Sequence, residues 1–160
     1  MSLLSFLGIT ASAQIDVGAA LPDVDCPDEN GAIVNLGKTH STGFVLVYFY
    51  PKADTPGCTK QACNLRDAFA ELTAEKVQVF GVSHDNAAAQ KAFKEKYQLP
   101  FTLLADSESV VAKAFGVPAV AGITKRQAFL FLDGKLLWRD LAATPTKQAE
   151  DVLAVVRKSL

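Results

Sequence analysis

The sequence has few cysteines and almost no net charge, and each shortage excludes a class of protein. Its 160 residues include three cysteines, too few and odd in number for a scaffold held by disulfides. Sixteen Lys and Arg side chains stand against seventeen Asp and Glu, a net charge of −1, so no strong positive field attracts nucleic acid or a membrane surface. We therefore expect a small molecule or another protein as the partner.

Long hydrophobic runs are also missing, since no stretch approaches the roughly 20 apolar residues of a membrane-spanning helix. A short apolar run over residues 3–9, followed by Ala11, Ser12 and Ala13, resembles a signal peptide with its cleavage site. It lacks the basic residues that precede such a run. We expect a cytoplasmic protein, with an exported or periplasmic location as the alternative if this stretch is a signal remnant.

Extended and helical patterns alternate along the chain, which is typical of the α/β class. The apolar run over residues 44–50 predicts a central strand buried on both faces, and residues 77–83 predict the next strand. Two short extended stretches around Asn30-Gly31 predict an N-terminal β-hairpin. The other predicted helices lie over 59–76, over the residues up to 97 with Asp85 or Asn86 as the N-cap, over 107–115 and from 146 onward. A strand is predicted over 101–104, and a hairpin of 129–132 with 136–141.

This order of elements fits a thioredoxin-like fold, a central mixed β-sheet flanked by helices, with the β-hairpin at its N-terminal side. The chain contains no internal repeat and no evident linker, and its length predicts one domain. We expect residues 19–160 to form that single domain, and residues 1–18 to be an N-terminal extension.

The stretch directly after the predicted central strand, YPKADTPGCTKQAC, places Cys58 in the first turn of a helix. Ligands bind outside the carboxyl ends of strands in open α/β sheets, and the unpaired N–H groups at a helix start favour a thiolate. Pro56 is suited to fix the turn, and Gly57 lets the backbone pass close to whatever Cys58 attacks. A lone cysteine is more often an inert buried hydrophobe, but the polar residues around this one favour a reactive thiol.

The motif P-x-x-x-T-P-G-C, present from Pro51 to Cys58, resembles the active-site signature of the peroxiredoxins. The continuation CTKQACNLRD resembles their Q-type or bacterioferritin-comigratory-protein branch, and the resemblance extends from about Ala19 to the C-terminus. It implies a peroxidase that reduces hydrogen peroxide and organic hydroperoxides with no metal, haem, flavin or other cofactor. It also implies a monomer, and thioredoxin or glutaredoxin as the reductant.

The family implies a role for each matching residue. Cys58 is the peroxidatic cysteine, which peroxide oxidises to a sulfenic acid. Thr55 hydrogen-bonds the thiolate and the peroxide, while Pro51 and Pro56 shield the pocket from bulk water. An arginine holds the thiolate charged, since a guanidinium is always protonated; the pattern R-x-x-F-L favours Arg126, with Arg66 and Arg139 as the alternatives.

Cys63 stands where many members of this branch have the resolving cysteine. On an intact helix, five residues mean a rise of about 7.5 Å and a rotation of roughly 140° past a full turn, so Cys58 and Cys63 cannot bond directly. We expect oxidation to unfold residues 55–65 locally. The alternative is that Cys63 is a core thiol. Cys26 matches no catalytic position and is expected to be structural, unless the fold brings it close enough to act as another resolving partner.

Two other functions on the same fold stay open. A thiol-disulfide oxidoreductase usually has a C-x-x-C motif, which this chain lacks. A non-enzymatic peroxide sensor would consume peroxide slowly. The histidines His40 and His84 sit at loop and strand-end positions, and with the cysteines they lack the paired spacing of a zinc site, so no metal is expected.

Overall fold

The computed structural model describes residues 14–160, which are organised around a five-stranded sheet. In chain order the elements are β1 (Asp25–Pro27), β2 (Ile33–Asn35), α1 (Leu36–Thr39), β3 (Phe44–Phe49), α2 (Pro56–Asp67), α3 (Phe69–Ala74), β4 (Val77–Ser83), α4 (Ala87–Tyr97), β5 (Thr102–Ala105), α5 (Val110–Phe115), β6 (Ala119–Val120), β7 (Ile123–Thr124), β8 (Gln127–Leu132), β9 (Lys135–Asp140) and α6 (Gln148–Lys158).

The strand order of the sheet is β5-β4-β3-β8-β9, with β3 in the middle. β3 runs parallel to β4 and antiparallel to β8, so the sheet is mixed. All six residues of β3 are buried, as its continuous apolar sequence predicts. The predicted central strand, the mixed sheet and the N-terminal hairpin of β1 with β2 are confirmed.

The sheet separates two hydrophobic clusters, because successive side chains of a strand point to opposite faces. Leu46 and Tyr48 of β3 belong to the cluster that contains the buried side of α2 and α6. Val45, Val47 and Phe49 belong to the cluster on the other face, which contains the buried side of α5. A residue in one cluster is therefore shielded from the other by the sheet itself.

Three of the predicted helices have different bounds. The single helix predicted over 59–76 is wrong: α2 begins at Pro56 and ends at Asp67, and α3 follows after a bend at Ala68 (φ −94°, ψ 5°). The apolar spacing continues through this bend, so the pattern does not mark it. The helix predicted from 107 begins at Val110, because the Asp106 carboxylate takes the first N–H groups of α5. The last helix begins at Gln148, since residues 144–147 form a turn.

Three short elements had no clear sequence signal, namely the helix α1 and the two strands β6 and β7 of a small hairpin.

Residues 14–18, part of the predicted extension, contact the rest of the chain: Ile15 N–H donates to the Phe115 carbonyl (3.2 Å) and Gly18 N–H to the Leu136 carbonyl (2.8 Å). The signal-like stretch over 1–13 lies outside the described residues. Within residues 14–160, no helix combines the length and the apolar sequence that crossing a bilayer requires.

Candidate active site

Cys58 lies in the first turn of α2, directly beyond the carboxyl end of the central strand. Thr55 is the N-cap residue, with an extended backbone (φ −92°, ψ 157°), and Pro56 occupies the first helical position, where its missing N–H costs nothing. The side chain of Cys58 is 1% exposed. The predicted placement of this sulfur at a helix start is confirmed.

Arg126 is the cation beside that sulfur. Its Nη2 donates to Cys58 Sγ at 3.5 Å, and its Nη1 donates to Gln61 Oε1 at 2.5 Å. The guanidinium packs directly on Gly57, where a Cβ atom would lie 2.9 Å from Nη2. Gly57 therefore makes room for the Arg126 guanidinium. The sequence did not predict that these two residues are neighbours.

The two alternative arginines bind elsewhere. Arg66 Nη1 donates to the Tyr97 carbonyl at 2.8 Å, and Arg139 Nη1 donates to the Ile15 carbonyl at 2.8 Å. Of the three arginines considered from the sequence, only Arg126 is hydrogen-bonded to Cys58 in the described part of the chain.

Thr55 does not make the contact that the family pattern implies. Its Oγ1 donates to the Lys52 carbonyl at 2.7 Å, and within residues 14–160 no hydrogen bond joins it to the Cys58 sulfur. A hydroxyl has one proton to donate, so Thr55 must turn away from Lys52 before it can donate to a thiolate. Pro51, at the end of the central strand, is partly buried.

Two carboxylates hold the loop over residues 51–55. Asp85 Oδ2 accepts the N–H of Ala53 at 2.8 Å. Asp54, at a left-handed φ of 59°, accepts from Lys96 Nζ at 2.8 Å and from the Tyr97 hydroxyl at 2.7 Å. The bond from Lys96, followed by that from Tyr97, lowers the pKa of Asp54. Sequence reasoning offered Asp85 only as a possible helix cap.

That capping role belongs to Asn86, whose Oδ1 accepts the Ala89 N–H at 2.8 Å. The loop contacts of Asp85 join segments 32 residues apart, so no local pattern could have revealed them.

Gln61 is a site residue that sequence reasoning missed. It is fully buried, and besides accepting from Arg126 it donates through Nε2 to Gln148 Oε1 at 2.5 Å. The Gln148 Nε2 atom is buried and has no hydrogen-bond partner among residues 14–160. The sequence did contain a signal for its burial. Gln61 stands three residues after Cys58 and four before Leu65, on the apolar side of the predicted helix.

The three cysteines are free thiols in three different environments. Cys63 is partly exposed in the middle of the intact helix α2. Cys26 lies on β1 in the hydrophobic cluster across the sheet from Cys58. Burial, followed by the nearby Asp106 carboxylate, raises the pKa of the Cys26 thiol to about 12. The fold therefore does not bring Cys26 to the site, which favours the structural role predicted for it.

Tyr48 lies beneath the site with a buried hydroxyl that has no hydrogen-bond partner in the described chain. The ring crosses Gly81 of the neighbouring strand, where a Cβ atom would lie 2.8 Å from the hydroxyl. Burial, followed by the nearby Tyr50 and the two cysteines of α2, raises the pKa of Tyr48 well above its ordinary value. The phenol is therefore neutral at physiological pH.

The two histidines do not contact Cys58. His40 Nδ1 lies 3.0 Å from Gln78 Oε1, and His84 Nε2 is hydrogen-bonded to Ser109 Oγ. His84 does, however, line a cleft of about 260 Å³ beside the active-site loop, together with Pro51, Lys52, Asp85, Ala121, Gly122 and Ile123.

A family model for AhpC/TSA proteins matches residues 17–138 of this chain. The chain belongs to the AhpC/TSA family. Peroxiredoxin bcp1 of Schizosaccharomyces pombe is 32% identical over 153 residues, covering 94% of this chain and 78% of that protein. A putative peroxiredoxin bcp of Coxiella burnetii is 44% identical over 103 residues, covering 64% of this chain and 68% of that protein. The resemblance to Q-type and bacterioferritin-comigratory peroxiredoxins is thus confirmed.

Plant relatives of this peroxiredoxin are longer. The chloroplastic peroxiredoxin Q of Oryza sativa subsp. japonica is 46% identical over 106 residues, which cover 66% of this chain and 48% of that protein. The match thus spans about half the length of the plant relative. Among solved structures, the peroxidoxin BcpB of Mycobacterium tuberculosis has a TM-score of 0.84 at 32% identity and covers 91% of this chain and 98% of its own. The thioredoxin-like fold predicted from the sequence is confirmed.

Proposed function

We propose that this peroxiredoxin is a thiol-dependent peroxidase that reduces hydrogen peroxide and organic hydroperoxides through Cys58. The observation that carries the proposal is the 3.5 Å contact between Arg126 Nη2 and Cys58 Sγ at the start of α2. A permanently charged guanidinium and a helix start both favour a thiolate, which is the nucleophilic form of cysteine.

In the first step, the Cys58 thiolate attacks one oxygen of the peroxide. An S–O bond forms and the O–O bond breaks, which gives the sulfenic acid, while the leaving oxygen takes up a proton and departs as water or alcohol. Arg126 stabilises the negative charge that develops on the leaving oxygen. Thr55, once turned from Lys52, donates to the reacting groups, and Pro51 and Pro56 exclude water.

In the second step, the Cys63 thiol condenses with the sulfenic acid, forming the disulfide and releasing water. The intact helix α2 separates the two residues by a rise of about 7.5 Å, beyond the reach of a disulfide with an undistorted backbone. Resolution therefore requires α2 to unwind over part of residues 55–65. A dithiol protein, thioredoxin or glutaredoxin, then reduces the disulfide and returns both thiols.

The cleft beside Pro51 supports organic hydroperoxides as substrates. Its wall includes Ile123, which is 51% exposed, so an alkyl group would cover apolar surface there. Alkyl peroxide reduction is the activity named for the bacterioferritin comigratory protein of Xanthomonas campestris, a structural neighbour. We further propose a cytoplasmic monomer with one domain over residues 19–160, and neither nucleic acid nor membrane as a partner.

Peroxide turnover with thioredoxin tests the proposal on wild type and three single variants. We expect Cys58→Ser to be inactive and Cys63→Ser to lose turnover supported by thioredoxin. Cys26→Ser is the matched control and should be nearly normal, because Cys26 lies across the sheet. A second-order rate of Cys58 oxidation no faster than that of a model thiol would contradict the proposal and favour a slow peroxide sensor.

A further inference from the structure

The last helix of the chain receives its N-terminal cap from the helix that carries both cysteines. Among the described residues, the N-cap residue of α6, Lys147, makes no side-chain hydrogen bond to the helix. Asn64 of α2 replaces it: its Oδ1 accepts the N–H of Ala149 at 2.9 Å, and its Nδ2 donates to the Thr146 carbonyl at 3.1 Å. Because the first N–H groups of a helix need an outside acceptor, the start of α6 depends on α2.

Gln61 makes a second polar anchor between the same two segments. It lies three residues before Asn64, a spacing that places both side chains on one side of α2. Its Nε2 donates to Gln148 Oε1 at 2.5 Å. These two anchors flank Cys63 in the sequence, so the turn that carries this thiol is tied to the start of α6 on both sides.

Disulfide formation breaks this arrangement. For the Cys63 sulfur to displace the sulfenic oxygen of Cys58 as water, Cys63 has to leave its place on the helix. Gln61 lies between the two cysteines, and Asn64 is the direct chain neighbour of Cys63, so both move with the unwinding turn. The Ala149 N–H loses its acceptor when they do.

We propose that Asn64 is a positioning residue for resolution: by capping α6 it holds the Cys63 turn in its helical form and sets how often that turn opens. The inference rests on the proposed peroxidase function and deepens it. While the turn is closed, a second peroxide can oxidise the Cys58 sulfenic acid to sulfinic acid. The cap therefore sets the share of Cys58 lost to over-oxidation.

The expected effect of removing the Asn64 cap follows from the free energy that a helix cap contributes. Replacing Asn by Ala at a cap shifts the closed-to-open equilibrium by about fivefold, the equivalent of about 1 kcal/mol. For Asn64→Ala we expect resolution to become about fivefold faster relative to over-oxidation. The peroxide concentration that converts half of Cys58 to sulfinic acid should rise by the same factor.

Mass spectrometry of Cys58 after a fixed number of thioredoxin-supported turnovers measures this concentration. The matched control is Asn86→Ala, which removes a cap of the same kind, the bond from Ala89 N–H to Asn86 Oδ1 (2.8 Å), from α4, a helix without cysteines. It should destabilise the protein without moving the concentration. The rate of the first oxidation of Cys58 should stay within twofold of wild type in both variants. If Asn64→Ala leaves the concentration unchanged, or moves it no more than Asn86→Ala does, the inference is overturned.

Hydrogen exchange on the wild-type protein tests the same coupling without any variant. We expect the Ala149 amide to exchange at least tenfold faster in the disulfide form than in the reduced form, while the Ala89 amide is unchanged. Equal protection of Ala149 in a wild type that turns over peroxide and forms the disulfide overturns this inference alone. A wild type that does not consume peroxide overturns the proposed function as well.

Discussion

The contact between Arg126 and Cys58 allows the most direct test of the proposed chemistry. Arg126→Met keeps an apolar side chain of similar length but removes the cation whose Nη2 lies 3.5 Å from Cys58 Sγ. At that distance, a charge pair in an effective dielectric of about 20 is worth at most about 5 kcal/mol. Net values for hydrogen bonds to charged groups are about 2–3 kcal/mol. We take the smaller range, because part of the attraction offsets the cost of desolvation.

A loss of about 2–3 kcal/mol in transition-state stabilisation corresponds to a decrease of about 30- to 160-fold in the second-order rate of Cys58 oxidation. Arg126→Lys keeps the charge but not the fork that also binds Gln61, so we expect a smaller decrease. The assay is competition for hydrogen peroxide between the reduced protein and a reference peroxidase, at one fixed pH.

The matched control for this test is Arg139→Met. Arg139 is also partly buried, with its side chain 27% exposed, but it donates to the Ile15 carbonyl and not to the site. Its removal should leave the rate within twofold of wild type. If Arg126→Met folds, as thermal unfolding would show, and still reacts within threefold of wild type, the guanidinium does not activate Cys58 and the reasoning fails.

Three further predictions concern Gly57 beside the guanidinium, the buried tyrosines Tyr48 and Tyr50, and Cys26 on the other face of the sheet. Gly57→Ala should fold normally but react at least tenfold more slowly with peroxide, since its Cβ would lie 2.9 Å from Arg126 Nη2; a wild-type rate would mean that the guanidinium shifts at no cost. Tyr48→Phe removes a buried hydroxyl that has no partner among the described residues, so urea unfolding should show no loss of stability. Tyr50→Phe loses a hydrogen bond and should lower the free energy of unfolding by about 1 kcal/mol. The folded state raises the pKa of Cys26 from 9.0 to about 12, so the stability that this thiol contributes is complete below pH 9 and declines as the pH rises toward 12. Between pH 9 and 10.5, wild type should lose up to about 2 kcal/mol more unfolding free energy than Cys26→Ala; equal losses would show that Cys26 titrates normally.

The long, strongly patterned elements were predictable because their signals are local. β3 follows from a continuous apolar run and β4 from a mostly apolar one interrupted by Gln78, and the turn at Asn30-Gly31 marks the N-terminal hairpin. The bend at Ala68 was not predictable, since α2 and α3 continue one apolar stripe through it. It depends on how each helix packs against the rest of the protein, which the spacing of apolar residues does not encode.

The active-site residues, too, were predictable where their sequence signal is local and unpredictable where a contact joins distant segments. Cys58 and its helix start are visible in one stretch of sequence, because a strand, a proline and a glycine next to a cysteine specify the backbone there without help from distant residues. Only a short sequence pattern favoured Arg126 over Arg66 and Arg139 as the arginine at the sulfur. The contact itself depends on the fold, which brings together residues 68 positions apart. The Gln61 and Asn64 contacts with the start of α6 bridge more than 80 positions. Such contacts arise when helices pack, because hydrogen bonds between distant segments depend on distances in space that a sequence records only for near neighbours.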